Sequence, residues 1–386
     1  MWIDSFKTLR FYTKRYAKNQ HFDKIRRNQR SAIRGCNTEK KVLVCMHSLD
    51  WGGAERFAYE TLLFLKKHKI PYLVFIEKKT EIAGHFLSIL DAAKAIVYGQ
   101  RYQKSESQLL ELINSTEPNF IFIHHSLSMY RALPYMPRDI FIIDSLHIVE
   151  YQTGGYPYLS AKNSRYINVH HVVSKGLINY IIENLGVPRH KVQLGYLINK
   201  SIIKKKKYQK NDNKMVVGFL GRLEKQKRPE LFVELAKKFS KDNNVSFLVQ
   251  GNGSLLKKTQ ILAQRHKLGN ISFSGASEEI GLFHQKIDIL VNCAENEGLT
   301  LVGLECLQYG TIFISSNVGQ QNEITSKHCL VSAKPKEFIE QTSELIQKIS
   351  KNEDFKNMIL SEQNEIFDNM KHICFADTIL KKYMLQ

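Results

Sequence analysis

Several features are scarce or missing in this 386-residue sequence, and each absence narrows what the protein can be. No apolar run reaches the roughly 18–20 residues needed to span a bilayer. The N-terminus is charged and aromatic without a compact apolar stretch, so neither a transmembrane helix nor an export signal is expected. The six cysteines (Cys36, Cys45, Cys293, Cys306, Cys329, Cys374) form no Cys-x-x-Cys pair and mostly sit in apolar segments. That pattern predicts buried thiols in a reducing cytoplasm rather than a disulfide framework or a zinc site. Gly (21) and Pro (8) are not enriched and apolar residues make up 43%, so the chain is a folded protein of two or three domains and not a disordered one. No Asp-x-Asp pair occurs anywhere, so a divalent cation held by such a motif is not expected, nor is any other cofactor.

Positive charge, by contrast, is in excess: +19 with a pI near 9.5. Anionic partners follow: nucleic acid, an anionic membrane surface or a phosphorylated substrate. Much of the charge precedes residue 42, and a second cluster is Lys204 to Lys207. In "MWIDSFKTLRFYTKRY" the apolar Trp2, Phe6 and Leu9 follow helical spacing while Lys7 and Arg10 lie elsewhere, the pattern of a basic amphipathic helix on an anionic membrane.

After this leader, short apolar runs alternate with helical patterns. "KVLVCMH", "PYLVFI", "FIFIHH", "DIFIID" and "INVHHVV" read as strands of a parallel α/β sheet. The pattern lapses over the lysine-rich stretch near residues 198–214 and restarts with "MVVGFLG", "VSFLVQG", "ISFSG", "DILVNC" and "TIFISS". The expected organisation is a basic leader (1–38), a Rossmann-like acceptor domain (39–197), a linker (198–214), a Rossmann-like donor domain (215–365) and a C-terminal helix (366–386) packing back on the first domain. Ligands of doubly wound sheets bind outside the C-terminal ends of the strands, which puts the expected site in a cleft between the two domains.

Two stretches of the second half carry chemistry. In "ENEGLTLVGLE", after the strand "DILVNC", a helix beginning near Thr300, a residue able to cap it, would aim its first amides at an anion. Glu297 would then precede the helix and Glu305 would stand in its second turn, separated by at most ~12 Å of helical rise. A nucleotide diphosphate sugar has matching parts: a diphosphate for the helix N-terminus, ribose hydroxyls for Glu305 and sugar hydroxyls for Glu297. In "GFLGRLEKQKRPELF", Gly221 and Arg222 end a strand and Lys227 stands just before a helix. Without a metal motif, the Arg222 fork and the Lys227 point charge are the groups able to neutralise a diphosphate leaving group.

From Met215 to about Glu323 these elements occur in the order that resembles the donor domain of retaining glycosyltransferases of family 4, with the GT-B architecture of two Rossmann-like doubly wound domains facing a cleft. The elements are Gly221, Arg222 and Lys227, then Gly251 and Gly253 of "GNG", then Glu297 and Glu305, then "VGQQNEI". The resemblance implies that Arg222 and Lys227 hold the diphosphate with the backbone of Gly298, Leu299, Thr300 and Leu301, and that Glu305 holds the ribose. Leu299 and Thr300 stand where Phe and Gly are common in the family. In the first half, Gly52 and Gly53 of "WGGAERF" look like the family's glycine loop near the diphosphate. His147 looks like its sugar-facing histidine, with His124 and His125 as rivals.

The activity implied is transfer of a sugar to a saccharide acceptor, lipid-linked in view of the leader, with retention and without metal. The expected setting is bacterial envelope polysaccharide synthesis (lipopolysaccharide, O-antigen or capsule) on the inner face of the cytoplasmic membrane. A nucleotide-sugar epimerase of the same fold and a nucleic-acid-binding protein are the alternatives. No recognisable nucleic-acid motif is present, so nucleic acid is not expected as a partner. The triple change Trp2→Ser, Phe6→Ser, Leu9→Ser leaves net charge untouched. In co-sedimentation with phosphatidylglycerol vesicles it should lose most of the binding, whereas a purely electrostatic contact would be unaffected.

Overall fold

The computed structural model describes residues 40–48, 52–77, 96–98, 101–149, 154–199, 214–277 and 279–385. The leader with Trp2, Phe6, Lys7, Leu9 and Arg10, Trp51, and most of the 198–214 linker lie outside the described residues. Two compact units form. The first takes the described residues of Met1–Val173, Leu177–Gly195 and Ala376–Gln386; the second takes Ser174–Gly176 and Tyr196–Phe375.

Unit 1 holds a seven-stranded parallel sheet of β1 (Val42–Met46), β2 (Tyr72–Ile76), β3 (Ile96–Tyr98), β4 (Phe120–His124), β5 (Phe141–Leu146), β6 (Val169–Val172) and β7 (Val192–Leu194), in the order β3-β2-β1-β4-β5-β6-β7. β1 is an interior strand, with Val42 in register with Tyr72 on one side and Phe120 on the other. Helices cover both faces of such a sheet, so all five β1 residues are buried and the strand is apolar throughout instead of alternating. Leu43, Cys45, Phe75, Ile121 and Ile123 pack with Leu109 and Ile113 in one core.

Unit 2 repeats the plan with β8 (Met215–Leu220), β9 (Val245–Gln250), β10 (Ile271–Phe273), β11 (Ile289–Asn292), β12 (Ile312–Ser316) and β13 (Leu330–Val331), ordered β10-β9-β8-β11-β12-β13, all parallel. Its core gathers Val217, Phe219, Phe232, Phe247, Val291 and Ile314. Every strand run read from the sequence is present. β3, β7 and β13 carry two or three residues each, too few for a periodic signal, and all three are edge strands. The five cysteines among the described residues are buried and no disulfide joins any two of them, and no described helix is long and apolar enough to cross a membrane.

In both sheets the chain leaves its first strand in one direction, then returns to build the other side. This reversal lies between β1 and β4 in unit 1 and between β8 and β11 in unit 2. Diverging connections open a crevice beyond the strand ends at such a point.

Unit 1 also buries titratable groups in its strands. His124, His170 and His171 are buried, and burial depresses them to about 3, about 3 and about 4; His125 falls to about 4 for the same reason. Asp144, inside β5, receives the Tyr130 hydroxyl on both carboxylate oxygens (2.9 and 2.8 Å), yet burial raises it to about 7. Histidines held neutral stabilise the fold above their ordinary value of 6.5, and that stability is lost as pH falls toward 3–4. Asp144 works in the opposite sense: its contribution is complete below 3.8 and lost as pH rises through 7. The four histidines outweigh the single carboxyl. The melting temperature should therefore climb between about pH 4 and 6.5 and then level off, and Asp144→Asn should steepen the climb. A flat profile in thermal melts would contradict this assignment.

Candidate functional site

In unit 2 the candidate residues converge on the strand ends at the β8/β11 reversal. Gly221 follows β8 with φ of 144°, and its amide donates to Gln250 O (3.1 Å). Gly251 and Gly253 have φ of 148° and 155°, and a Cβ on them would lie 1.9 Å from Gly221 O and 2.5 Å from Leu223 O. The Leu223 amide donates to Asn252 O (2.9 Å) and the Leu255 amide to Leu223 O (2.9 Å). The close backbone approach of these two loops by itself requires glycine in "GNG".

Beyond Gly221, Arg222 is exposed, and a 3-10 turn over Lys225–Lys227 leads into the helix Pro229–Lys238. Between them stands Arg228, buried and at φ of 48°. Its guanidinium donates to the carbonyls of Cys293 (2.6 Å), Ala294 (3.0 Å) and Ala333 (2.6 Å). The Gln226 side chain donates to Asn296 O (2.6 Å), and the Glu295 amide returns to Gln226 O (3.0 Å). These bonds fasten the loop after β8 to the loop after β11. They bring Lys227 into an ion pair with Glu297, the two side chains retaining 18% and 12% exposure.

The helix predicted after Glu297 runs from Leu301 to Tyr309 with Thr300 at its N-cap position, but Thr300 does not cap it. Its hydroxyl donates instead to Gln321 Oε1 (2.8 Å), while Gln321 Nε2 donates to Gly298 O (2.6 Å). The fully buried Gln321 amide thus clamps Gly298–Thr300, and the first-turn amides are left without a side-chain cap. Gly319 sits at φ of 55°, where a Cβ would meet Glu297 O at 1.9 Å, which holds the "VGQQNEI" turn against the same loop. Glu305 lies in the second helical turn, its side chain 19% exposed and its Oε2 buried.

In unit 1, Gly52 precedes the helix Gly53–Lys67 in extended conformation. A Cβ on Gly53 meets nothing within 4 Å, and one on Gly52 meets only the flexible end of Glu55. Unlike "GNG", then, these glycines are not required by the packing of the described residues. His147 follows β5, half-buried, with its ring 4.8 Å from Phe57 and edge-on to His125 (4.8 Å). Its protonation state follows from a chain of hydrogen bonds. His171 Nε2 donates to Gly195 O (2.9 Å), so its Nδ1 accepts from Ser145 Oγ (2.7 Å), and that hydroxyl oxygen accepts from His147 Nε2 (3.2 Å). His147 Nδ1 therefore carries a lone pair. Burial, and then the neighbouring His125, His124 and His171, hold the ring well below its ordinary value, so it is neutral at pH 7. The rivals differ: His124 bonds Thr61 Oγ1 (3.4 Å), while His125, at φ of 55°, stacks on Tyr156 (4.2 Å) and leaves Nε2 without a partner.

Lys227 and Glu297 meet directly, Gly298–Leu301 forms the helix entrance, and Glu305 stands one turn in. Sequence reading missed Arg228 and Gln321. Each was visible only as one more polar residue in a quoted stretch, because its partners lie 65–105 and 21–23 positions away. A further cluster was missed in unit 1: Glu77, after β2, accepts from Ser126 Oγ (2.9 Å) and the Ser128 amide and pairs with His47 Nδ1 (3.0 Å). Among the described residues no group of three or more His, Cys, Asp or Glu side chains is placed to hold a metal ion.

Residues 200–365 match the family described as glycosyl transferases group 1, so the second half is a glycosyltransferase domain of that group. Granule-bound starch synthase 1 of Pisum sativum is 34% identical over 107 residues, 27% of this chain, and the match spans only 18% of that relative's length. The fold is similar to that of HepE from Anabaena in complex with UDP and glucose (TM-score 0.68, 15% identity, 89% of this chain and 98% of that one). It is similar also to a glycosyltransferase from Rickettsia africae (0.68, 14%, 90% and 98%) and to the lipopolysaccharide outer core galactosyltransferase WaaB (0.60, 16%, 89% and 99%). The architecture is that of the GT-B glycosyltransferases.

Arg228→Ala would remove the donor to the buried Cys293 carbonyl and to the half-buried Ala333 carbonyl, leaving Ala294 O only the Ser316 hydroxyl (2.6 Å), and Arg228→Lys, a point charge, cannot reach all three. Urea denaturation should show a loss of about 2–5 kcal/mol for the alanine variant, with lysine restoring only part. Wild-type stability in the alanine variant would contradict this role.

Proposed function

We propose that the protein transfers a sugar from a nucleoside diphosphate sugar to a saccharide acceptor with retention of anomeric configuration and without a metal ion. The observation that carries this reading is the meeting of Lys227 and Glu297 beside an uncapped helix entrance, with Glu305 in the second turn of the same helix. The Lys227 ammonium has three donors, so it can keep Glu297 and still donate to a diphosphate oxygen. Arg222, exposed, adds a planar fork, and the amides from Leu301 onward add the positive end of the helix dipole. Glu297 accepts from hydroxyls of the transferred sugar and Glu305 from the ribose.

Transfer proceeds on one face of the sugar. The bond from the anomeric carbon to the diphosphate oxygen breaks while the acceptor oxygen bonds to that carbon, and the acceptor's proton passes to the departing diphosphate. Positioning and fixed charge supply the rate enhancement, and no enzymic nucleophile is needed. His147, neutral with its Nδ1 lone pair set by Ser145 and His171, accepts a hydrogen bond from a sugar hydroxyl. The HepE complex with UDP and glucose supports a UDP-sugar as the first donor to assay, and the likeness to WaaB supports an envelope-glycan acceptor. With the basic amphipathic leader, a lipid-linked acceptor at the inner face of the cytoplasmic membrane completes the proposal.

Lys227→Ala and Arg222→Ala should each lower kcat by about 100- to 1000-fold, the loss of one charge-assisted donor at the leaving group, with the fold intact and, for the exposed Arg222, the melting temperature unchanged. Turnover should persist in EDTA. Near-normal rates in both variants, or strict dependence on Mg2+ or Mn2+, would overturn the mechanism, and turnover of the donor to an isomer without acceptor would reassign the protein as an epimerase.

A further inference from the structure

His284 belongs to none of the motifs read from the sequence. It lies in the short helix Ile280–Lys286 that leads into β11, and its side chain is fully buried. Its ring stacks nearly parallel on Tyr309 (4.9 Å, 10°), in the last turn of the helix that carries Glu305. Nδ1 lies 3.1 Å from Thr311 Oγ1, and Thr311 is itself buried and fixed by its amide on Cys306 O (3.0 Å) and by Gln363 on its carbonyl (2.9 Å). On the other side of the ring, Nε2 faces Glu305 Oε2 at 3.9 Å. Both atoms are buried and neither has a hydrogen-bond partner.

Two buried, complementary and unpartnered polar atoms facing each other are a costly arrangement unless they serve one another. The Thr311 hydroxyl can donate to Nδ1, and that bond places the ring proton on Nε2, where it points at the carboxylate. Closing 3.9 Å to ordinary hydrogen-bond length needs a small rotation of the Glu305 side chain. With Oε2 turned inward, the exposure that Glu305 retains belongs to the rest of its side chain, where Oε1 is the oxygen left to meet a ligand.

We propose that His284, its tautomer set by Thr311, is a positioning residue that holds the buried oxygen of Glu305 so that the outward oxygen is aimed at the ribose hydroxyls of the nucleotide. This rests on the assignment of Glu305 to the ribose, and the test separates the two. Affinity is measured by calorimetry for the tightest binder among UDP, GDP and ADP, and in parallel for inorganic pyrophosphate, which has no ribose. His284→Phe keeps the ring and its stacking but removes the Nε2 donor. It should weaken nucleotide binding about tenfold and leave pyrophosphate binding unchanged. His284→Gln, which offers an amide donor in place of Nε2, should recover most of the loss. In a Glu305→Ala background His284→Phe should add nothing, since a residue acting only through Glu305 cannot act once that acceptor is gone. Thr311→Val provides an independent variant should the phenylalanine protein fold poorly, and it should weaken nucleotide but not pyrophosphate binding.

Wild-type nucleotide affinity in His284→Phe and Thr311→Val, equal losses for nucleotide and pyrophosphate, or an undiminished loss in the Glu305→Ala background would each overturn the role of His284 while leaving the ribose assignment standing. Wild-type affinity in Glu305→Ala alone would overturn that assignment, and this proposal with it.

Discussion

The candidate site of unit 2 depends on one buried guanidinium. Arg228 donates to carbonyls of Cys293, Ala294 and Ala333 and so ties the loop after β8 to the loops after β11 and β13. A sheet alone fixes strand spacing but not the loops that leave it. At the chain reversal the two connections diverge, and their backbone groups need partners that the sheet cannot supply. Arg228, with five donors in a rigid fork, supplies them. Its neighbour Lys227 is carried to Glu297 as a consequence.

Around that anchor a second set of contacts shapes the helix entrance. Gln321 uses both ends of its amide, one on Gly298 O and one on the Thr300 hydroxyl, and Gly319 allows the backbone to approach Glu297 O. Because the hydroxyl that would ordinarily cap the helix is engaged elsewhere, the amide dipoles remain directed outward. Unit 1 handles its strand ends differently. There, neutral histidines are threaded on hydroxyls and carbonyls, and burial keeps them uncharged at neutral pH. One unit thus concentrates fixed charge, the other hydrogen-bonding groups whose tautomers are set.

The sequence by itself determined the fold class. Its buried strands are continuous apolar runs, and a parallel sheet covered by helices on both faces makes that pattern locally visible. It also placed Lys227, Glu297, Glu305 and the helix start at Leu301, since strand ends and helix starts are local events. What it did not determine depends on residues far apart in the chain. Thr300 has the chemistry of a cap, yet Gln321 takes its hydroxyl. "GNG" has the look of a ligand loop, yet Gly221 O and Leu223 O require its glycines for packing, while Gly52 and Gly53 are under no such demand from the described residues. Arg228, His284 and the tautomer of His147 carry no local signature at all. Hydrogen-bond direction, pairing of charges and burial are properties of what surrounds a side chain, and only the tertiary structure decides which neighbours those are.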